Sequence, residues 1–421
     1  MHCKLDEGFD VNYIKRHAEE TLQRVSKMYP AVIVTGPRQV GKTTILRQYC
    51  KDMLFLSFDD PNTVLYASES PRQFFKTYPP PVIMDEVQYI PEILRYVKMF
   101  ADEKQQSGMF YMTGSQTFHL MKGATESLAG RVGIIELPGL SMREINGCDF
   151  FEPFLPTELY VNLAKKNIKQ VSNNELWSII RKGSMPKLYT AEFDTKELSQ
   201  YYSDYMRTYV EKDVRSLINI GNERAFMQFM RLLAANTGHL INFSSIASQI
   251  GKEVNTVKSW VSVLLNSGII YLLQPYFSNI NKRIIKTPKV YFLDTGFCAY
   301  LSGWYEPEQL QFGAMSGAFF ETFVISEIIK GYRNNGIDVN MRFSFYRDKD
   351  QKEIDLIIEE NAVLYPIEIK KTANPNVKDV AAFSVLKNER NKKSGQGAII
   401  YSGDDVVFLK DDVLAIPAAF I

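Results

Sequence analysis

A glycine-containing loop near the amino end constrains the fold of this chain more than any other feature. Residues 36–43 fit the phosphate-binding pattern G-x-x-x-x-G-K-[ST] at every fixed position. The loop follows an apolar run, residues 31–34, and precedes a segment of helical character, residues 44–49. Glycines let such a loop curl until its backbone N–H groups face phosphate oxygens, and the helix that follows adds positive potential at its amino end. The sequence therefore predicts a strand, a phosphate-binding loop and a helix in succession.

Two side chains of the loop have chemistry of their own. The ammonium of Lys42 can reach the β- and γ-phosphates of a nucleotide, and the hydroxyl of Thr43 can hold Mg²⁺. The residues predicted to contact the nucleotide are Gly36, Pro37, Arg38, Gln39, Val40, Gly41, Lys42, Thr43 and Thr44.

A second motif ends the apolar run at residues 82–84 with Asp85 and Glu86. Asp85 is placed to hold Mg²⁺, and Glu86 is placed to polarise an attacking water. Apolar runs without alternation are typical of a parallel sheet that is covered on both faces. We therefore expect parallel strands at residues 31–35, 54–58, 82–84, 109–112 and 133–137.

The extra strand between the two motifs resembles the additional-strand group of P-loop ATPases, which includes the AAA+ proteins. The chain also contains V-I-M-D-E-V-Q, T-G-S-Q, S-L-A-G-R and L-P-G-L-S-M-R-E. In this combination it is similar to a large group of prokaryotic AAA-type ATPases whose C-terminal region is catalogued as a domain of unknown function. The resemblance implies an ATPase that uses ATP and Mg²⁺ as cofactors.

The same resemblance suggests two further catalytic residues. In T-G-S-Q, Ser115 is the first choice for a sensor of the γ-phosphate and Gln116 the second, with a simple helix cap as the alternative. Arg131 precedes the fifth strand and could reach the nucleotide of a neighbouring subunit as an arginine finger, which would require a homo-oligomer. A surface or structural salt bridge is the alternative for Arg131.

The middle of the chain is expected to be helical, first as a lid or linker and then as a winged helix. Helices at residues 223–236, 244–250 and 254–266 precede a hairpin at 269–277 and 289–293, which is the winged-helix order. The basic segment 281–289 would form the wing. The side chains expected on the recognition helix are Lys252, Asn255, Thr256 and Lys258. Either this region binds DNA phosphates, or it is a packing and dimerisation module with a solvated basic loop.

A D-T-G sequence at residues 294–296 suggests an aspartic protease, but that chemistry needs two aspartates sharing a proton. The chain has no second D-T-G, so Asp294 is expected to cap the following turn.

The last third resembles the PD-(D/E)xK nuclease fold. A buried helix from residue 317 precedes strands at 342–347, 353–358 and 363–371, a helix at 376–387 and a strand at 397–401. By that resemblance Asp355 and Glu368 would ligate Mg²⁺, Glu321 would complete the shell, and Lys370 would activate the attacking water. Glu327 is an alternative to Glu321, and Lys371 an alternative to Lys370. The remaining interpretations are a nuclease fold kept for binding, or a hairpin with solvated charges.

Length and composition complete the expectation. A chain of 421 residues is too long for one core, its net charge of +1 gives no global basic field, and its four cysteines are widely separated. No signal peptide or membrane span is recognised, so a soluble cytoplasmic protein is expected.

The expected fold class is α/β multidomain. The predicted domains are a P-loop AAA+ domain at residues 1–150, a helical lid or linker at 151–225, a winged helix at 226–300 and a restriction-endonuclease-like domain at 301–421.

The predicted function is an AAA-type ATPase coupled to a nuclease-like domain that acts on DNA with Mg²⁺. The alternative is a nucleotide-gated switch that binds a protein or DNA and has no nuclease activity.

Overall fold

The fold is described here from a computed structural model. It describes residues 13–114, 128–209, 223–276, 287–388 and 392–421. The strands of the described residues are β1 Ala31–Thr35, β2 Leu54–Ser57, β3 Val82–Asp85, β4 Phe110–Gly114, β5 Val132–Glu136, β6 Ile270–Leu273, β7 Lys289–Phe292, β8 Phe343–Arg347, β9 Glu353–Glu360, β10 Val363–Lys370, β11 Lys393–Ser394, β12 Gly397–Tyr401, β13 Val407–Lys410 and β14 Val413–Pro417.

The α-helices are α1 Ala18–Met28, α2 Lys42–Tyr49, α3 Pro61–Glu69, α4 Pro71–Thr77, α5 Ile93–Lys104, α6 Met142–Ile145, α7 Glu158–Asn167, α8 Asn173–Lys182, α9 Thr195–Tyr209, α10 Glu223–Ala235, α11 Phe243–Gln249, α12 Val254–Asn266, α13 Thr295–Ser302, α14 Pro307–Phe312 and α15 Ser316–Asn334.

Strands β1 to β5 form a parallel sheet in the order β2-β3-β4-β1-β5. Every residue of β1, β3 and β4 is buried, because the sheet is covered on both faces, as the apolar runs predicted. The order places β4 between β1 and β3. The ends of these three strands, which carry the phosphate loop and the acidic pair, therefore lie side by side at one edge.

The predicted order of three helices and a hairpin is present in the middle of the chain. Helices α10, α11 and α12 precede β6 and β7, which pair antiparallel with Ile270 opposite Phe292. Trp260 of α12 packs between Phe226 and Phe229 of α10, with ring centroids 5.2 and 5.3 Å apart, so the centre of α12 is core. The name winged helix remains a prediction for this arrangement.

A second, mixed sheet forms the last third, in the order β13-β14-β12-β10-β9-β8, with β11 beside β10. Strands β8, β9 and β10 are antiparallel neighbours, whereas β10, β12 and β14 run parallel. The strands predicted before residue 402 are present, but β11, β13 and β14 were not predicted.

The helix predicted at residues 376–387 is instead a 3₁₀ stretch, Val377–Asn388, interrupted at Val380. Its buried side chains, Val380, Phe383 and Leu386, recur every third residue. That spacing is the period of a 3₁₀ helix rather than of an α-helix, which explains the difference.

The predicted domains share one buried core. A single apolar cluster includes Val32 of the first sheet, Tyr202 of α9, Phe292 of β7 and Phe320 of α15. The opposite face of the first sheet has a separate cluster around Phe75, Val82 and Met84. The boundaries predicted at residues 150, 225 and 300 are thus crossed by close packing, and they remain predictions.

Candidate functional site

The phosphate loop joins β1 to α2 in the predicted way. Gly41 precedes the helix with φ +92°, and Gly36 has φ +141°. A Cβ at Gly36 would lie 2.2 Å from the carbonyl oxygen of Leu137, so position 36 requires glycine. Lys42 is buried and donates from Nζ to the carbonyl oxygens of Gly36 (3.0 Å) and Pro37 (2.7 Å). The ammonium therefore lies over the loop that would cradle the phosphates.

Asp85 lies beside the hydroxyl of Thr43. Its Oδ1 accepts hydrogen bonds from Thr43 Oγ1 at 2.7 Å and from Thr113 Oγ1 at 2.6 Å, and the side chain is buried. Hydroxyl and carboxylate oxygens are ligands that Mg²⁺ accepts, with phosphate oxygens completing the shell. Thr43 and Asp85 thus fit the ion that the sequence predicts at this place.

Glu86 follows β3 in the left-handed region, with φ 58° and ψ 45°. Its carboxylate accepts from the side-chain amide of Gln88, and its backbone N–H donates to Thr113 Oγ1 at 3.0 Å. A non-glycine residue in this conformation turns the chain sharply at the strand end. The carboxylate is held there, half-buried, beyond the end of β3.

Thr113 is the polar residue that the sequence interpretation missed. It ends the apolar core of β4 and holds both acids, accepting from the N–H of Glu86 and donating to Asp85. A signal was present, because Thr113 is the first polar residue after an apolar strand. Ser115 and Gln116, the predicted sensors, lie outside the described residues.

Replacing Thr113 with Val should lower the turnover of ATP by roughly 10- to 100-fold, the usual cost of removing a residue that orients a metal-binding side chain. The variant keeps the volume but removes the hydroxyl that positions Asp85 and Glu86. Thr113→Ser, which keeps the hydroxyl, should retain most of the activity. Steady-state phosphate release measures both, and an unimpaired Thr113→Val enzyme would contradict the positioning role.

The remaining predicted residues of the loop differ in what they can contribute. The side chain of Val40 is buried, so Val40 can contact a phosphate only through its backbone. Thr44 is exposed on α2. Gln39 Oε1 accepts a hydrogen bond from Tyr201 Oη of α9 at 2.6 Å. The ring of Pro37 lies close to Gly268, where an added Cβ would be 3.0 Å from Pro37 Cγ. The loop thus touches both α9 and the turn that precedes β6.

Arg131 lies at the amino ends of the strands, opposite the ends that carry the phosphate loop and the acids. Its carbonyl accepts from the N–H of Ala31, at the start of β1, and its side chain pairs with Asp102 on the surface. Within one chain it therefore does not share an edge with the phosphate loop. A catalytic role for Arg131 requires a second copy of the chain, and it remains a prediction.

The acidic residues predicted for the nuclease-like region do converge. Glu321 of α15 and Asp355 of β9 both contact Lys289 Nζ, at 3.1 and 3.5 Å. Lys370 Nζ pairs with Glu368 Oε1 at 2.6 Å on β10, and Asp355 Oδ2 accepts from the N–H of Ile369 at 2.9 Å. We call Glu321, Glu353, Asp355 and Glu368, together with these two lysines, the acidic cluster.

The two alternatives, Glu327 and Lys371, lie elsewhere. Glu327 accepts from the N–H of Met142 at 2.8 Å and pairs with Lys330 at 2.5 Å, away from the cluster. Lys371 donates to the carbonyl oxygen of Gln311 and to Ser316 Oγ. Of the alternative residues, Glu321 and Lys370 therefore lie in the acidic cluster, and Glu327 and Lys371 do not.

Burial and mutual repulsion shift the pKa values of the cluster. Burial and the neighbouring Asp355 raise the pKa of Glu368 to about 8, and the same two causes raise the pKa of Glu321. Burial alone lowers the pKa of Lys289, but Tyr291, Glu321 and Asp355 raise it well above its usual value. The neighbouring carboxyl groups thus favour the charged form of Lys289.

Lys289 corrects one prediction and bears on another. The sequence predicts Lys289 on a basic wing that either binds DNA phosphates or is solvated, and residues 281–286 of that segment lie outside the described residues. The side chain of Lys289 is instead 5% exposed and forms ion pairs. Across the part of the chain that the structure describes, no three His, Cys, Asp or Glu side chains are arranged to hold a metal ion. The Mg²⁺ site predicted at Glu321, Asp355 and Glu368 does not fit this arrangement, because an ammonium lies among the carboxylates.

The motif L-P-G-L-S-M-R-E, residues 137–144, forms a buried junction that the sequence interpretation did not foresee. Arg16 donates from Nε to Glu144 Oε1 at 3.1 Å and from Nη1 to the carbonyl oxygen of Val40 at 2.7 Å. Arg143 donates to the carbonyl oxygens of Ile421 and Glu152. The junction therefore connects the phosphate loop, the segment that precedes α1 and Ile421, which follows the last sheet.

The D-T-G aspartate has a structural role, as predicted. Asp294 caps α13 by accepting from the N–H of Phe297 at 2.7 Å. It also accepts from Ser184 Oγ at 2.7 Å and from Tyr202 Oη at 3.0 Å, so it ties α13 to the segment after α8 and to α9.

The five-stranded parallel sheet, the phosphate loop and the acids at the end of β3 fit the class of P-loop ATPases. Residues 28–146 match the family described as an AAA domain, which agrees with this class. Residues 173–308 and 316–421 match two domains of unknown function, DUF8612 and DUF4143.

The chain is also similar to uncharacterized proteins of Mycobacterium bovis and Mycobacterium tuberculosis. Each is 26% identical over 405 residues, which is 96% of this chain and 83% of the relative. Among solved structures, the Walker-type ATPase of Pyrococcus abyssi has a TM-score of 0.44 at 14% identity, over 69% of this chain and 96% of that one. The RuvB Holliday junction branch migration motor of Thermotoga maritima has a TM-score of 0.30 at 14% identity, over 60% and 88%.

The sheet order and the AAA-domain match support the ATPase half of the predicted resemblance. The nuclease-like half stays a prediction. Within the described ranges, none of the helices combines the length and apolar character that crossing a membrane requires.

Proposed function

We propose that this protein binds and hydrolyses ATP with Mg²⁺ and uses the nucleotide state as a switch for the rest of the chain. The observation that carries the proposal is the hydrogen-bonded set at the ends of β3 and β4, in which Thr43, Asp85, Glu86 and Thr113 meet beside the phosphate loop. This set supplies a metal-binding hydroxyl, a metal-binding carboxylate and a base at one edge of the sheet.

Each group has a defined task in this proposal. Backbone N–H groups of the loop and the ammonium of Lys42 bind the phosphates and stabilise the negative charge that develops during transfer. Thr43 and Asp85 would hold Mg²⁺, which neutralises phosphate charge when it is bound. Glu86 orients and polarises the attacking water, and Thr113 keeps both acids in place.

The switch follows from what touches the loop. Tyr201 of α9 hydrogen-bonds Gln39, Gly268 packs against Pro37, and Arg16 binds the carbonyl oxygen of Val40. A change in loop conformation between nucleotide states would therefore alter contacts with α9, with the hairpin and with the junction at residues 137–144. The nucleotide state would be coupled to these elements through their direct contacts with the loop.

The test is ATP hydrolysis by the full chain with Mg²⁺, measured as phosphate release with and without DNA. Hydrolysis that depends on Mg²⁺ supports the proposal. A well-folded protein that neither binds nor hydrolyses ATP would overturn it.

A competing proposal is the predicted Mg²⁺-dependent cleavage of DNA at Asp355, Glu368 and Lys370, with Glu321. It is favoured by the meeting of these residues at the acidic cluster. It is disfavoured by the ion pairs that Lys289 makes there, which support the switch without nuclease activity. DNA cleavage that is lost in Asp355→Ala would establish the nuclease and contradict the switch without it.

Binding of DNA by α12 would be one form of the switch. Asn255 and Lys258 are exposed there, whereas Lys289 is buried and unavailable to phosphates. Binding through α12 would weaken with added salt, because phosphate contacts release counterions. Binding to a protein partner through the same face would be the other form of the switch.

A further inference from the structure

We infer that the ammonium of Lys289 is the resident cation of the acidic cluster, and that a binding site for a divalent cation such as Mn²⁺ or Mg²⁺ appears there when Lys289 is removed. This inference does not depend on the ATPase proposal, since the cluster lies on α15, β7, β9 and β10. It excludes Mg²⁺-dependent DNA cleavage at the cluster by the protein that keeps Lys289, because the lysine and the metal would compete for the same oxygens.

Three carboxylates surround the ammonium. Lys289 Nζ lies 2.6 Å from Glu353 Oε1, 3.1 Å from Glu321 Oε1 and 3.5 Å from Asp355 Oδ1. The contacts with Glu321 and Asp355 are hydrogen bonds, and the contact with Glu353 is an ion pair. A divalent ion binding the same oxygens would need to approach them to about 2.0–2.6 Å, within the space that Nζ occupies. Lysine and metal therefore exclude one another.

The backbone of β7 fixes this lysine in place. Lys289 pairs with Leu273 of β6 and bridges to Leu240, and the next residue, Val290, exchanges hydrogen bonds with His239 and Gly238. The side chain passes near the ring of Phe345, with Nζ 5.6 Å from its centroid, and is 5% exposed. The pairing fixes the backbone from which the side chain of Lys289 extends, and the ion pairs hold the ammonium among the carboxylates.

The surrounding acids are arranged independently of Lys289. Tyr291 Oη donates to Glu321 Oε1 at 2.6 Å, and the N–H of Ile369 donates to Asp355 Oδ2 at 2.9 Å. Both contacts position a carboxylate without neutralising it. Removing Lys289 would leave these acids oriented toward a common space, with their repulsion compensated only in part, by Lys370 beside Glu368 and by Arg347 beside Glu353.

Glu368 provides a second observation that points to a ligand. It is 5% exposed, and its Oε2 is buried without a hydrogen-bond partner among the described residues, while Oε1 pairs with Lys370. Buried carboxylate oxygens are usually satisfied, so this oxygen is an acceptor that Lys289 leaves unused. Carboxylate oxygens from three elements are the ligand type that hard divalent cations prefer.

The experiment measures Mn²⁺ binding to the full chain without nucleotide, by the loss of the free-Mn²⁺ signal in electron paramagnetic resonance. Every variant also carries Thr43→Ala, which removes the hydroxyl ligand at the phosphate loop. Lys289→Met is expected to bind Mn²⁺ at least about tenfold more tightly than the protein that keeps Lys289, because a unit charge at contact distance is gone. Adding Asp355→Asn to Lys289→Met should abolish the gain.

Lys378→Met, at an exposed lysine, is the matched control and should leave Mn²⁺ binding unchanged. If Lys289→Met lacks a native near-ultraviolet circular dichroism spectrum in metal-free buffer, Mn²⁺ should restore it; failure to restore it overturns the inference. So does a folded Lys289→Met protein with no gain in Mn²⁺ binding. Asp355-dependent Mn²⁺ binding by the protein that keeps Lys289 would also overturn it, because a metal would then be the resident cation.

Discussion

ATP turnover is expected to fall by about 10²- to 10⁴-fold when Glu86 is replaced with Gln, the range that a general base supplies. The amide keeps the shape and the contact with Gln88 but cannot accept a proton from the attacking water. The N–H of residue 86 still donates to Thr113, so the strand end should keep its geometry. Steady-state phosphate release measures the loss.

Nucleotide binding should survive this change, since the phosphate loop and Asp85 are untouched. A fluorescent ATP analogue should bind Glu86→Gln with an affinity close to that of the wild type. Glu92→Gln, at an exposed carboxylate just before α5, is the matched control and should hydrolyse ATP normally. Wild-type turnover in Glu86→Gln would refute the role given to Glu86.

The largest loss of stability is expected from Glu144→Gln, at about 3–5 kcal/mol, the usual cost of breaking a buried ion pair from one side. Glu144 Oε1 accepts from Arg16 Nε at 3.1 Å and from the N–H of His17 at 2.7 Å, while Oε2 accepts from the N–H of Ser141 at 2.7 Å. A glutamine has one acceptor oxygen in place of two and would direct N–H groups at existing donors. Denaturant unfolding followed by tryptophan fluorescence measures the change.

The pH dependence follows from the pKa of Glu144. Burial alone raises this pKa, but Arg16, His17 and the backbone donors together lower it below its ordinary value. A carboxyl with a lowered pKa in the folded state stabilises the protein at pH values above its unfolded pKa. That contribution is lost as the pH falls through the folded pKa, so the difference between wild type and Glu144→Gln should shrink in acid.

Asp149→Asn is the matched control for the ion pair. Lys15 and Asp149 form a salt bridge of 2.8 Å close to Arg16 in sequence, but both side chains are largely exposed. Solvent screens such pairs, so no measurable change in stability is expected. An equal loss in both variants would mean that burial at the junction is not the cause.

The phosphate loop, the acidic pair after β3 and the strand pattern could be predicted because their chemistry is local in sequence. Residues 36–43 carry their conformation in their own glycines, and Asp85 and Glu86 end an apolar strand whose neighbours are equally apolar. The resemblance to the PD-(D/E)xK fold also singled out Asp355 on one predicted strand and Glu368 and Lys370 on the next, and these strands, β9 and β10, are neighbours. In each case a short segment contains both the signal and its physical cause.

The rest depended on partners distant in sequence. Glu144 is explained by Arg16, 128 residues away, and Lys289 by Asp355, 66 residues away. Lys289 stands in a basic stretch, so its composition favoured a solvated wing, and only the pairing of β7 places it among acids. For Thr113 the sequence marks a polar residue at the end of an apolar strand, but its contacts with Asp85 and Glu86 depend on β4 lying next to β3.

The common core has a consequence for how such a chain can be divided or recombined. Cutting at residue 150 would separate Arg143 from the carbonyl oxygens of Glu152 and Ile421, and Met142 from Glu327. It would also separate β5 from α15, where Glu136 pairs with Arg333 at 3.2 Å. The ATPase segment is therefore not an interchangeable cassette, and a functional chimaera would need to inherit the 137–144 segment and α15 from the same parent.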